Sequence, residues 1–187
     1  ITHDHLDYHK TFDEYIKAKK RFFDLLGNNA FALTNKDDAH GDVMLQNTRA
    51  TKKTYSLRSM ADYKCKVVEN QFSGLLLNID NQEVWSKLIG SFNAYNLLAV
   101  YATALLLKED KTNVLTTLSS LTSVEGRFQY IRTDEGVIGI VDYAHTPDSL
   151  EAVYKTLKVG PSSHEASKGD HTNQKLICVI GAAGGGR

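Results

Sequence analysis

The sequence predicts an α/β fold, and three observations carry that prediction. Apolar residues recur at helical spacing from Thr11 to Leu26. Short runs rich in Val, Tyr, Leu and Ile, separated by polar turns, fill Thr54–Gly90. From Ile138 to Ile180 the order strand, helix, loop, strand forms a βαβ-like unit and suggests a parallel sheet. The 187 residues suffice for one domain or two small ones, and for a buried core.

The first helix is expected over about Thr11–Leu26. Thr11 and Glu14 form a T-x-x-E capping box, and Gly27 is placed to end the helix. Its inward stripe reads Phe12, Tyr15, Ile16, Lys19, Phe22, Phe23 and Leu26, so Lys19 falls on the stripe while Lys17, Lys20 and Arg21 fall off it. NAFALTN (Asn29–Asn35) reads as a buried strand, followed by the polar turn KDDAHGD; VMLQNT continues toward a helix or loop. TYSLRS, YKCKVVEN, SGLLLNI and EVWSKLI then read as strands of an antiparallel patch. GSFNAYNLLAVYATALLLKED is apolar on most faces from Leu97 to Leu107 and is expected as a buried helix. A shorter helix over about Asn113–Leu121 would turn Val114, Leu118 and Leu121 inward. RFQYIRTDEGVIGIVDYA reads as a hairpin turning at Asp134–Gly136, and DSLEAVYKTLK as a helix that starts after Pro147. GPSSHEASKGDHTN (Gly160–Asn173) is a loop by composition, and QKLICVIG a buried strand running into AAGGGR. A boundary near Gly126–Arg127 divides the chain into 1–126 and 127–187.

Lys and Arg number 22, against 22 Asp and Glu, which leaves a formal net charge of zero. That balance gives no support for bulk nucleic-acid or anionic-membrane binding. No run reaches the roughly 18 apolar residues of a membrane span. The opening ITHDHLDYHK has no apolar stretch of a signal peptide. Cys65 and Cys178 show no C-x-x-C spacing, so a reducing compartment is the simplest reading and no zinc site is implied. Both ends are abrupt, and the expectation is a segment of a longer protein.

Five constellations carry possible chemistry. His3-Asp4-His5-Leu6-Asp7-Tyr8-His9 with Lys19 reads either as a polar loop plus a snorkelling lysine, or as a metal site. In the second reading a desolvated, neutral Lys19 amine takes up carbon dioxide as a carbamate and joins a histidine around magnesium, an ion that prefers oxygen. Arg127 in SVEGRFQ is an ion-pair residue or a phosphate contact. In VDYAHTPDS, Asp142 ends a strand and His145 lies in the loop before a helix. That is a helix-capping cluster or a ligand edge of a parallel sheet. GAAGGGR follows a strand but is neither G-x-G-x-x-G nor a P-loop, so as a dinucleotide motif it is weak. Asn93 and Asn96 in GSFNAYN either cap their helix or hydrogen-bond a base edge.

In order and spacing, THDHLDYH, the Y-x-x-A-K helix (Tyr15 to Lys19), GSFNAYN, EGRFQ, VDYAHTPDSLE and GAAGGGR resemble the Mur ligase family along nearly the whole chain. VDYAHTP is most similar to the branch that adds the third residue of the peptidoglycan stem peptide. The resemblance implies the second half of a central ATPase domain with an antiparallel β patch, then the start of a Rossmann-like C-terminal domain. The P-loop and UDP-sugar domain would lie upstream, and most of the amino-acid pocket beyond Arg187. It implies an ATP-dependent amide-forming ligase of the bacterial cytosol working through an acyl phosphate. ATP and Mg²⁺ would be required, and UDP-N-acetylmuramyl-dipeptide and a diamino acid, diaminopimelate or lysine, would be the substrates. Nucleic acid and membrane insertion have no part in it. By resemblance Lys19 is the catalytic, carbamylated lysine and His5 a magnesium ligand. Asn93 and Asn96 lie near adenine, Arg127 reaches the ATP phosphates, and Asp142 and His145 contact the nucleotide at the domain junction. Without a P-loop the segment alone is expected to be inactive. Alternatives are another Mur ligase, a folylpolyglutamate synthase-like ligase, or a non-catalytic module of the same fold.

Overall fold

A computed structural model describes residues 1, 9–159 and 175–181. The THDHLDYH segment before His9, the loop expected over Gly160–Asn173 and the end of the glycine-rich run lie outside the described residues.

Helix α1 spans Phe12–Asp24, with Thr11 as N-cap: its hydroxyl accepts the Glu14 N–H at 3.3 Å. This is the expected cap, worth about 1 kcal/mol. Glu14 itself reaches forward to Lys17 (3.0 Å). Strand β1 (Phe31–Asn35) follows, then one helical turn, α2 (Gly41–Met44). β2 (Thr51–Ser56), β3 (Tyr63–Gln71), β4 (Gly74–Ile79) and β5 (Gln82–Ser86) complete one sheet of order β1-β2-β3-β4-β5. β3, β4 and β5 form an antiparallel meander, as expected. β2, by contrast, runs parallel to both β1 and β3. The antiparallel expectation for TYSLRS is corrected: residue pattern marks a strand, while the connection through α2 sets its direction.

Asp80 (φ 47°) and Asn81 (φ 65°) make the two-residue turn between β4 and β5. Positive φ at both central positions matches the right-handed twist of the flanking strands. On β4 the alternate residues Leu75, Leu77 and Ile79 are fully buried. Helix α3 (Ser91–Leu106) lays Ala94, Leu97, Leu98 and Tyr101 against them, the i, i+3, i+4, i+7 face of a helix. Helix α4 (Lys111–Ser120), capped by Asp110 onto the Asn113 N–H (2.9 Å), adds Leu115 and Leu118. A second cluster joins Ala32, Leu45 and Ala50 to Phe23 of α1 and to Leu26 just past its end.

One burial expectation holds in part and one is corrected. α3 is buried along Ala94, Leu97, Leu98, Tyr101 and Ala102, as expected, but not on every face, because Val100 is exposed. Leu121 is exposed rather than inward, because α4 stops at Ser120 and Leu121 turns to extended backbone (ψ 138°).

Strands β6 (Gln129–Arg132) and β7 (Ile138–Val141) form the expected hairpin, closed by Gly136 (φ 85°). Helix α5 (Pro147–Val159) starts at Pro147, as expected. The parallel βαβ unit is not seen among the described residues. β7 pairs only with β6, and 175–181 carries no strand, with Leu176, Ile177, Val179 and Ile180 exposed. An apolar strand needs a neighbouring edge to satisfy its backbone, and the hairpin supplies two strands only.

Candidate nucleotide site

Asn93 and Asn96 stand on the first two turns of α3. The N-cap is Gly90 at φ 91°, with no side-chain cap. A Cβ at Gly90 would lie 2.6 Å from the Phe92 ring, so both the turn and the close approach require glycine. The amides do not cap the helix. Asn93 Nδ2 donates to the Ile89 carbonyl (2.8 Å), and Asn93 Oδ1 accepts from Asn96 Nδ2 (3.1 Å). Asn96, at the end of this chain of amides, is exposed.

Arg127, Asp142 and His145 come together at one end of the β6–β7 hairpin. The Arg127 guanidinium lies over the Tyr143 ring (4.7 Å to the centroid), and Tyr143 meets His145 edge-on at 4.9 Å. His145 Nδ1 is 2.8 Å from the Tyr143 carbonyl. A carbonyl only accepts, so Nδ1 carries the proton that faces it, and in the neutral ring Nε2 then offers a lone pair. Asp142 accepts the Phe128 N–H (2.7 Å) and the Ala144 N–H (2.8 Å), one at each oxygen. Each oxygen keeps a second lone pair. Neither Asp142 nor His145 caps α5. Thr146 does, its hydroxyl accepting the Ser149 N–H (3.3 Å) and its carbonyl the Leu150 N–H (2.9 Å).

Phe128 ties the two groups together. It is almost fully buried, at left-handed φ 49°, with its ring 5.6 Å from Phe92 of α3. The bond from Asp142 secures that rare conformation for a bulky residue. Beside it lies a cavity of about 360 Å³ bounded by Phe72, Trp85, Lys87, Asn93, Phe128 and Tyr130. That volume is within the range of small-ligand pockets. Sequence reasoning missed Tyr143 and Phe128. Both sit inside the motifs EGRFQ and DYAHTP, but nothing local shows that an arginine will rest on one and a helix on the other.

Lys19 departs from the stripe expectation. It is exposed, with its amine 4.7 Å from the Tyr15 ring centroid. Phe22, next on the stripe, is 66% exposed. Lys20, expected to face water, is the more enclosed of the two and pairs with Asp24. Among the described residues no element covers the face that carries Lys19, whereas Phe23 and Leu26 pack against the Ala32, Leu45 and Ala50 cluster. His5 lies outside the described residues. Among the described residues no three His, Cys, Asp or Glu side chains converge as a metal cage. Of the expected magnesium ligands, Lys19 alone falls among the described residues.

Two family models match. The Mur ligase middle domain covers residues 1–104, and the Mur ligase glutamate ligase domain residues 126–186. The chain is 53% identical over 184 residues to the UDP-N-acetylmuramoyl-L-alanyl-D-glutamate–2,6-diaminopimelate ligase of Cytophaga hutchinsonii, covering 98% of this chain and 36% of that protein. It is 36% identical to the ligase of the same name from Bacillus cereus, over 98% of this chain and 37% of that protein. The chain thus spans about a third of the length of the curated relatives it matches. Among solved structures, MurF from Acinetobacter baumannii superposes with a TM-score of 0.76 at 18% identity, over 84% of this chain and 36% of that one. The folylpolyglutamate synthase of Thermotoga maritima superposes at 0.62 and 14% identity, over 78% and 35%. At such identities these structures share the fold alone. With a family model over more than half its length and close relatives over nearly all of it, the chain belongs to the Mur ligase family.

Proposed function

We propose that this chain is part of a ligase that uses ATP to join 2,6-diaminopimelate to UDP-N-acetylmuramoyl-L-alanyl-D-glutamate. The observation that carries the reading is half identity, over nearly the whole chain, to ligases of that name, and it is supported by the ring contact that sets Phe128, bonded to Asp142 and next to Arg127 in sequence, against Phe92 beside Asn93. A carboxylate oxygen of the dipeptide attacks the γ-phosphorus of ATP, and ADP leaves with the bridging oxygen. The amine nitrogen then attacks the acyl carbon of the acyl phosphate. Phosphate leaves with the C–O electron pair, and the nitrogen sheds a proton. Such transfers depend on positioning and charge neutralisation.

In this reading the Asn93 and Asn96 amides face the adenine edge, since an amide both donates and accepts. The aromatic walls of the adjoining cavity offer faces on which a base can stack. Arg127, held flat over Tyr143, presents its fork to phosphate oxygens. The open lone pairs of Asp142 and the Nε2 of His145 accept hydroxyl donors. Magnesium would neutralise phosphate charge in the complete enzyme, with a carbamylated Lys19 and His5 proposed as ligands. Lys19 needs a covering surface for that role, and no step here is routed through the ion. The same reading puts a domain boundary near Gly126–Arg127, and the positive φ of Gly126 (70°) is consistent with a turn there. A cytoplasmic location is part of the same proposal.

The full-length protein should release phosphate from ATP only when the UDP-dipeptide and diaminopimelate are both supplied. Lysine in place of diaminopimelate is the control. Equal turnover with lysine would overturn the amino-acid assignment, and no turnover with either would overturn the reading.

A further inference from the structure

Asp37 lies just past β1, within the polar turn KDDAHGD, and its side chain is 2% exposed. Its two oxygens accept from six donors. Five belong to the end of β2 and the loop after it: the Ser56 hydroxyl (2.8 Å), the backbone N–H groups of Leu57 (2.9 Å), Arg58 (3.1 Å) and Ser59 (3.0 Å), and the Ser59 hydroxyl (2.6 Å). The sixth is the Tyr95 hydroxyl of α3 at 3.0 Å, 58 residues away in sequence. Arg58 lies alongside, its Nε 4.0 Å from the carboxylate. The five local donors already satisfy a turn. The sixth is what ties the end of β1 and β2 to a different element.

Among the described residues, Tyr95 is the polar side chain that ties the start of α3 to the sheet, with Arg58 of the same loop beside its hydroxyl. Gly90 supplies no side-chain cap. Asn93 and Asn96 bond to Ile89 and to each other, and so fix their geometry relative to α3 but not to the sheet. Tyr95 lies between the two asparagines in sequence. A buried carboxylate takes a charge-assisted hydrogen bond, which is stronger and shorter than a neutral one. Resting on the nucleotide reading above, we propose that Asp37 is a positioning residue. Through the Tyr95 hydroxyl its carboxylate orients the first turns of α3, and with them the Asn93 and Asn96 amides that meet the nucleotide.

Two variants of the full-length protein separate positioning from plain structural support, because each removes one hydroxyl from the same carboxylate. Tyr95→Phe cuts the tie to α3, and Ser59→Ala cuts a tie within the loop. Both should lower the melting temperature by similar, small amounts. Tyr95→Phe should also raise KM for ATP about fivefold, with kcat and KM for the UDP-dipeptide within about twofold, the pattern of lost uniform binding of one substrate. Ser59→Ala should leave KM for ATP unchanged. An unchanged KM in Tyr95→Phe, or an equal rise in both variants, overturns the positioning role while the ligase reading stands. A wild-type protein with no ATP-dependent amide formation would overturn the ligase reading, and this inference with it.

Discussion

Asp37 shows how one residue makes the fold depend on pH. Burial alone would raise its pKa, but hydrogen bonds from Ser59, Ser56, the Leu57 N–H and Tyr95 outweigh burial and hold it far below the ordinary carboxylate value. A group depressed in the folded state contributes stability in full above its unfolded pKa and loses it progressively as pH falls from that value to the folded one. The contribution of Asp37 is therefore complete above about pH 5 and shrinks below about pH 4. Asp37→Asn should be less stable than wild type at neutral pH, and its melting temperature should fall less steeply under acid. Parallel slopes in the two proteins would contradict this. Cys65 gives a second residue-scale expectation. Burial pushes its thiol up to about 12, whereas Cys178 is exposed. The thiolate is the reactive form, so a thiol reagent should titrate Cys178 in the native protein and Cys65 only after unfolding. The sequence placed both cysteines but could not say which is buried. It showed Asp37 merely as part of a polar turn, because its six donors come from residues 19 to 58 positions away.

At the scale of elements, local chemistry was most legible where it acts locally. The Thr11 cap, the Asp134–Gly136 hairpin turn and the Pro147 helix start all stand where the sequence put them. The strand runs were legible too, but β2's parallel direction was not, since one strand pattern serves either direction. The start of α3 depends on a single glycine. Gly90→Ala places a Cβ at positive φ, a strain of roughly 1–2 kcal/mol, and forces the Phe92 ring off its contact with Phe128. The variant should melt lower than wild type and show a raised KM for ATP in the full-length protein. A melting curve and KM equal to wild type would show that the turn tolerates a side chain.

For the whole molecule, the burial pattern is uneven. The face formed by α3, α4 and the β3–β5 meander is closed, with Leu75, Leu77, Ile79, Leu98 and Tyr101 fully buried. Phe22, Leu25, Ile177 and Val179 are 66–92% exposed. So much exposed apolar surface marks faces meant for contact. The 187-residue chain expressed alone should bind a hydrophobic dye strongly and show no ligase turnover. The full-length protein should turn over and bind less dye per mole. Weak dye binding by the isolated chain would mean that these faces close on their own. The sequence by itself determined the element types, the capping chemistry and the ordered motifs that place the chain among the Mur ligases, because each is written in neighbouring residues. Only the tertiary structure decided that Arg127 rests on Tyr143, that Phe128 joins the hairpin to α3, that Asp37 holds Tyr95, and that Lys19 is exposed on α1. Those pairings link residues distant along the chain, and their partners are set by how the elements pack.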